Sequence, residues 1–112
     1  MAQFDVHRNK GALRESIPFV VLVQSAQFDS YRRRVVIPLV RRSSFAAHMT
    51  RVGTRMNPVF TVDGIEVVLH TLDMVSVATQ HLGDYVGSLA EHGQNIIDAA
   101  DEMLTPRGDE ID

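Results

Sequence analysis

The stretch that decides the fold reads PVFTVDGIEVVLHTL and spans residues 58–72. Two runs rich in β-branched residues, Pro58 to Val62 and Ile65 to Leu72, flank the dipeptide Asp63-Gly64. Asp-Gly between such runs is a strong signal for a tight β-hairpin, because both turn residues can adopt positive φ. The sequence therefore predicts an antiparallel hairpin here.

Four further runs of β-favouring residues lie outside this hairpin. They span Gln3 to Val6, Ile17 to Gln24, Arg34 to Val40 and Met74 to Ala78. The run from Ile17 is almost continuously apolar, as a strand buried on both faces would be. Proline cannot donate a ladder hydrogen bond, so Pro38 predicts a sheet edge or a bulge at its position. Together the runs predict a β region over residues 1–80.

Two segments between these runs are less regular. Residues 8–16 are polar and contain Gly11, which predicts a mobile loop. Within residues 43–56, Phe45, Met49 and Val52 fall at helical spacing, so a short helix is possible there.

The hydrophobic period changes near the end of the chain. Apolar residues recur there at Leu89, Ile96, Ile97, Ala100, Met103 and Leu104. This stripe predicts an amphipathic helix over about residues 91–105, which Pro106 and Gly108 end. Residues 106–112 predict a flexible acidic tail. The 112 residues therefore predict one domain over 1–112 that is mainly β with one C-terminal helix.

The composition argues against several classes of protein. Without cysteine, the chain has no disulfide framework and no thiolate zinc site. Its start lacks the apolar run of a signal peptide, and no apolar run is long enough to span a bilayer, so we expect no membrane partner. A net charge of −3 argues against a dedicated nucleic-acid coat protein, which is usually basic.

Charge is distributed unevenly along the chain. Residues 32–55 contain seven arginines and no acidic residue, whereas residues 83–112 contain eight acidic residues and one arginine. The basic stretch and the acidic end could attract each other within one chain or between two chains. We favour the interpretation that both stretches simply form solvent-exposed faces of the protein. The functional alternative is that the basic stretch forms a groove that binds an acidic peptide.

No motif for catalysis, cofactor binding or metal binding is present. The five histidines are scattered and form neither HxH nor HExxH, the serines lie outside any GxSxG, and the glycines form no phosphate loop. Asp101 and Glu102 are adjacent on a predicted helix and do not face each other. The run Arg32-Arg33-Arg34 could contact RNA phosphates, although charged residues at a strand end also discourage aggregation. We expect no catalytic, cofactor-binding or metal-binding residues.

The chain as a whole resembles the CcdB toxin family. The most specific similarity is Arg33-Arg34-Val35-Val36-Ile37-Pro38-Leu39, which is close to the family's RRxVIPL. It is followed by Thr71-x-Asp73-Met74-x-Ser76-Val77, close to TxDMxSV. The similarity covers residues 3 to about 104 with almost no gaps, and the two motifs in this order form a specific pair.

The resemblance implies a fold, an activity and partners. The expected fold is the SH3-like β-barrel of the CcdB/PemK-type toxin class. The implied protein is a bacterial cytoplasmic homodimer that binds the A subunit of DNA gyrase, a type II topoisomerase, and traps its cleaved complex without being an enzyme. The implied second partner is a CcdA-like antitoxin with a segment that is disordered when free, and DNA is contacted only indirectly, through the antitoxin in autoregulation.

The resemblance also implies partner-binding positions, and the end of this chain departs from the family there. The implied positions are Phe28, Asp29, Glu102, Arg107 and Gly108. Family members close with an aromatic-Trp-Gly-Ile sequence, whereas this chain has Thr105-Pro106-Arg107-Gly108 and no Trp. A buried Trp is a typical interface anchor, and losing one costs about 2 kcal/mol or more.

Three functional hypotheses follow. The first is a CcdB-type toxin that acts on gyrase or a related topoisomerase. The second is a CcdB-like protein that has lost gyrase poisoning but keeps antitoxin binding and operon autoregulation. The third is a ribonuclease toxin of the related barrel family that uses an arginine and a threonine or serine.

Overall fold

A computed structural model describes residues 2–25, 32–48 and 52–104 of the chain. The elements are strands β1 (Asp5–Asn9), β2 (Phe19–Leu22) and β3 (Arg33–Arg41), helix α1 (Arg42–His48), strands β4 (Val59–Val62), β5 (Ile65–Leu69), β6 (Val75–Ala78) and β7 (Leu82–Ser88), and helix α2 (Gly93–Leu104). Within the described residues, single-turn 3-10 helices span Thr71–Asp73, Thr79–His81 and Ala90–His92. The prediction of a mainly β fold with one C-terminal helix is confirmed.

The predicted hairpin joins β4 to β5. Val62 pairs with Ile65, and the turn residues Asp63 and Gly64 have φ values of 50° and 76°. Both values lie in the left-handed region, as a two-residue type I′ turn requires. The turn fixes the register that directs Phe60 and Val67 into the main core.

The substitution Gly64→Ala is expected to destabilise the protein by about 1–2 kcal/mol, because a Cβ makes the left-handed conformation unfavourable. No atom lies within 4 Å of the position of that Cβ, so the effect comes from the backbone alone. Gly87→Ala is the matched control, since Gly87 is equally uncrowded and has no positive φ. Thermal unfolding measures both variants, and equal melting temperatures would contradict the assignment of strain to Gly64.

The sheet is strongly curled. Its strand order is β4-β5-β3-β2-β1-β7, and β6 pairs with β3 beside β5. In a flat sheet, four strand spacings of about 4.8 Å would separate β6 from β7, which is about 19 Å. The connection from Ala78 to Leu82 reaches only about 14 Å when fully extended. The sheet therefore closes into a half-barrel that brings β6 towards β7.

Pro38 lies where β3 changes its pairing partner. β6 pairs with β3 as far as Val36, and β5 pairs with it from Leu39 onward. The missing N–H of Pro38 therefore falls in a gap between two ladders, while its carbonyl accepts a hydrogen bond from His70 N at 3.0 Å. β3 is an internal strand and not an edge strand, so the partner change is what accommodates the proline.

Several predicted bounds were wrong. The β region does not end at residue 80, because β7 extends it to Ser88 and pairs with β1. No residue of β7 is buried. Its sequence was therefore free to lack the regular apolar pattern by which a strand is recognised. β1 extends to Asn9, into the predicted loop 8–16, and α1 accounts for part of the ambiguous segment 43–56. The predicted tail, residues 106–112, lies outside the described residues.

Two hydrophobic clusters hold the fold together. The larger one contains Phe19, Ile37 and Leu39 and is covered by α2 through Ile96 and Ala99. The smaller one joins Val40 and Val68 to Phe45 of α1. The two helices therefore each cover a part of the curled sheet, which positions the end of α2 beside the segment that follows β5.

Candidate partner-binding surface

The two sequence motifs of the chain are hydrogen-bonded partners in the structure. β3 and β6 pair antiparallel, with Val35 opposite Ser76. The Arg33 guanidinium donates to Ser76 Oγ at 2.9 Å and to Ser76 O at 2.6 Å. The first motif thus supplies the donors and the second supplies the acceptors of one contact. This contact gives Arg33 of the first motif and Ser76 of the second a structural role, which is to join β3 to β6.

The second motif also anchors the segment between β5 and β6. Thr71 is fully buried, and its hydroxyl donates to Met56 O at 2.6 Å. Asn57 Nδ2 donates to Leu69 O at 3.0 Å. These side chains hold the loop 52–58 against the 3-10 helix Thr71–Asp73, which contacts α2 in turn.

Helix α2 is fixed at its start and exposed at its end. A Cβ at Gly93 would lie 2.5 Å from Phe4 Cε2, so glycine permits the close approach of the helix to Phe4. Ile96 and Ala99 are buried, whereas Leu104 is 73% exposed. The predicted stripe placed Leu104 and Ile97 on the apolar face, but both are exposed, and Ala99 faces the core instead.

Three contacting segments, the loop 52–58, the 3-10 helix Thr71–Asp73 and α2, carry exposed groups that we together call the helix-end surface. It consists of Arg55, Leu72, Ile97, Glu102 and Leu104. Arg55 Nη1 lies 3.6 Å from Glu102 Oε2, and the Glu102 side chain is 15% exposed while that of Arg55 is 63% exposed. Leu72, Ile97 and Leu104 are exposed apolar side chains on contacting elements. Exposed apolar side chains together with a charged pair are typical of a protein-binding surface.

Of the predicted partner-binding residues, Glu102 lies on the helix-end surface. Phe28, Asp29, Arg107 and Gly108 lie outside the described residues. The attraction between the basic stretch and the acidic end is realised within one chain at the Arg55–Glu102 pair. Sequence reasoning did not single out Arg55 as a site residue, and no local signal marks it, because its partner is distant along the chain.

The arginine run does not form a phosphate-binding patch of parallel side chains. Arg32 and Arg33 are exposed, and the Arg33 guanidinium is bound to Ser76, whereas Arg34 is buried. Arg34 Nη1 donates to Arg33 O at 3.1 Å. Burial of Arg34 separates it from the exposed Arg32.

The histidines of the described residues are dispersed over the barrel. His7 is buried, with Nδ1 3.0 Å from Gly83 O and its ring edge-on to Tyr85. The His70 ring packs edge-on against Phe45, and its Nδ1 lies 3.5 Å from Asp73 Oδ2, which is too long for a strong hydrogen bond. In residues 2–25, 32–48 and 52–104, no three His, Asp or Glu side chains converge as a metal site would require. None of the helices in these ranges has the length and apolarity needed to cross a bilayer.

Comparison with known proteins places the chain among toxins. A family model described as "CcdB protein" matches residues 3–106. The fold is similar to an endoribonuclease in complex with its cognate antitoxin from a mycobacterial species, with a TM-score of 0.71, 14% identity, and coverage of 96% of this chain and 98% of the other. A second mycobacterial endoribonuclease matches with a TM-score of 0.68, 16% identity, and coverage of 93% and 90%. No curated protein matches in sequence.

These similarities correct one expectation. We expected a protein that is not an enzyme, and that expectation was wrong. The half-barrel with its C-terminal helix is also the fold of two solved endoribonucleases, so the same scaffold carries catalysis in other proteins. At 14% and 16% identity the likeness concerns the fold, because function depends on side chains that differ between proteins of one fold.

Proposed function

The chain belongs to the CcdB protein family, the toxins of toxin–antitoxin systems, and from this premise we propose that it acts on DNA gyrase in the bacterial cytoplasm. The proposed action is binding to the A subunit of gyrase, followed by trapping of the cleaved DNA complex. The observation that carries this proposal is the family match over residues 3–106, which includes both motifs and the barrel they hold together.

The helix-end surface supports a protein target. Its exposed apolar side chains and the Arg55–Glu102 ion pair lie on α2 and on two segments that contact it. Because α2 packs on the core through Ile96 and Ala99, its backbone loses little conformational entropy on binding. A toxin of this kind needs only higher affinity for one conformational state of its target.

Homodimer formation is part of the same proposal. A domain of 112 residues buries only part of the surface of its unfolded chain, and association into a dimer adds buried area. A two-fold dimer presents each binding surface twice and so matches a two-fold target. The exposed apolar residue Val75, which lies outside the helix-end surface, is available for such burial.

The proposed antitoxin is a CcdA-like protein with an acidic segment that folds on binding. One similar structure is an endoribonuclease bound to its cognate antitoxin, which supports an antitoxin for this barrel. The arginine-rich residues 32–55 supply complementary charge. The complex would repress its own operon, with the antitoxin supplying the contacts to DNA.

A gyrase cleavage assay tests the proposed target. Purified full-length protein is incubated with gyrase, supercoiled plasmid and ATP, and linear DNA is measured after detergent and protease treatment. We expect linear DNA to accumulate with toxin concentration and to disappear when the antitoxin is added. Absence of both gyrase binding and linear product would overturn the proposal, and antitoxin binding without linear product would leave an autoregulatory protein that has lost its poison.

A second candidate function is RNA cleavage, which the fold shared with two endoribonucleases favours. The same protein preparation is incubated with single-stranded RNA, with and without the antitoxin. Fragments that form only without the antitoxin, in the absence of gyrase trapping, would replace the first proposal with this one.

A further inference from the structure

A cavity of about 400 Å³ lies where the connection between β6 and β7 passes the sheet. We call it the β2 cavity, and its apolar lining consists of Val20, Val36, Val77 and Leu82. These residues come from β2, β3, β6 and the start of β7. The curl of the sheet brings the four strands together, so the cavity is a product of the half-barrel and not of a single segment.

Lys10 gives the mouth of the β2 cavity a positive charge. Lys10 and His81 line it, and Lys10 Nζ donates to Gln80 O at 3.4 Å. A second, shallower cavity shares Lys10 and Leu82 with the first and continues to Arg14 and Asp84. Arg8 also borders both cavities, but its guanidinium binds Asp63 at 3.2 Å and so does not supply charge to the mouth.

Backbone and side-chain contacts hold the chain around the mouth in place. Asn9 Nδ2 donates to Ile17 O at 2.8 Å, and Asn9 Oδ1 accepts from Gly11 N at 2.9 Å. These two bonds hold the chain on both sides of Lys10. On the opposite side, Gly83 lets β7 approach β1 so closely that a Cβ would lie 2.7 Å from Arg8 O. The cavity is therefore preformed, as small-molecule sites usually are.

We infer that the β2 cavity binds a small amphiphilic carboxylate, with an aliphatic chain on the valine floor and the carboxylate at Lys10. Valine and leucine offer no stacking surface and no hydrogen bonds, so a polar aromatic group such as a nucleobase would lose hydration there without compensation. An aliphatic chain gains from burial on the same floor. Lys10 provides the complementary charge at the mouth.

This site is separate from the helix-end surface. The β2 cavity is built from strands β1, β2, β3, β6 and β7 and from His81, whereas the helix-end surface is built from residues in the 52–58 loop, the 3-10 helix Thr71–Asp73 and α2. The inference therefore stands independently of the target proposed above. A ligand that binds only the folded chain stabilises it in proportion to the logarithm of its concentration.

Titration of the purified full-length protein with sodium butanoate, hexanoate and octanoate tests the inference. Amide chemical shifts in two-dimensional NMR spectra report both the affinity and the residues affected. We expect the shifts to centre on Val20, Val36, Val77 and Leu82, and each added methylene to tighten binding about fourfold. Octanol, which lacks the carboxylate, should bind about two- to fivefold more weakly than octanoate.

Three variants separate the apolar and the charged parts of the site. Val77→Phe fills the cavity and should weaken octanoate binding at least tenfold, and Val77→Leu provides a milder filling if the first variant does not fold. Lys10→Ala should remove the preference for octanoate over octanol. Arg42→Ala is the matched control, because Arg42 is an exposed cation that binds Glu66 and does not line the cavity.

Two outcomes would overturn the inference. One is equal affinity across the three carboxylates, which would show that no chain is buried. The other is unchanged selectivity for octanoate in the Lys10→Ala variant together with unchanged affinity in a folded Val77 variant, which would place the binding elsewhere on the protein.

Discussion

Phe19→Ala is expected to destabilise the protein by about 3–5 kcal/mol, the usual cost of removing a buried aromatic ring. Phe19 is fully buried at the start of β2 and belongs to the main hydrophobic cluster. It pairs with Leu39 on one side and with Arg8 on the other, and the Arg8 guanidinium lies 5.7 Å from its ring centroid. Truncation therefore leaves a cavity between three strands and also removes a cation–π contact.

Thermal and urea unfolding followed by circular dichroism measure this effect. For a domain of this size the loss corresponds to a melting temperature lower by roughly 12–20 °C. A total stability of about 5–15 kcal/mol is typical, so the variant should approach global unfolding at growth temperature and lose its activity in cells. Leu13→Ala is the control, because Leu13 is largely exposed, and a loss of similar size in both variants would contradict the assignment of Phe19 to the core.

Replacing residues 105–112 with an aromatic-Trp-Gly-Ile tail is expected to strengthen gyrase binding about 30-fold. This factor follows from the roughly 2 kcal/mol that a buried Trp anchor contributes at an interface. The present chain has no Trp, and its last four residues, Asp109 to Asp112, carry three acidic side chains. α2 already ends in the exposed Leu104, so the new tail would continue directly from the helix-end surface.

The gyrase cleavage assay measures this gain as a shift in the toxin concentration that gives half-maximal linear DNA. The matched control carries the same tail with Ala in place of Trp and should regain little. If the grafted chain and the original chain trap gyrase equally, the anchor is unimportant for this protein. If neither traps gyrase while both fold and bind the antitoxin, the scaffold itself has lost the target.

Local features of the fold were predictable from the sequence. Asp63-Gly64 specifies its hairpin through the conformations of two adjacent residues, and the structure places both at positive φ. The existence of α2 could be predicted from the spacing of the apolar residues around Ile96, because the helical repeat spans only a few residues. The resemblance to the CcdB family was confirmed by the match over residues 3–106.

Features that depend on distant segments were not predictable in the same way. β7 was missed because it is an exposed strand held by backbone pairing with β1. Pro38 was predicted to mark a sheet edge or a bulge, but β3 is an internal strand there, and the change of partner from β6 to β5 could not be inferred from its neighbours. The expectation that the protein is not an enzyme was wrong. It rested on motifs within one chain, and such motifs do not show that other proteins use the same barrel for catalysis.

The sequence by itself determined the hairpin, the C-terminal helix and the pair of motifs that identify the family. These are properties of short segments, in which turn conformation and hydrophobic period act over a few residues. Only the tertiary structure decided that Arg33 binds Ser76, that Arg55 contacts Glu102, and that five strands line the β2 cavity. Each of these contacts joins residues far apart in the chain, and the curl of the sheet that brings them together results from all its strand pairings at once.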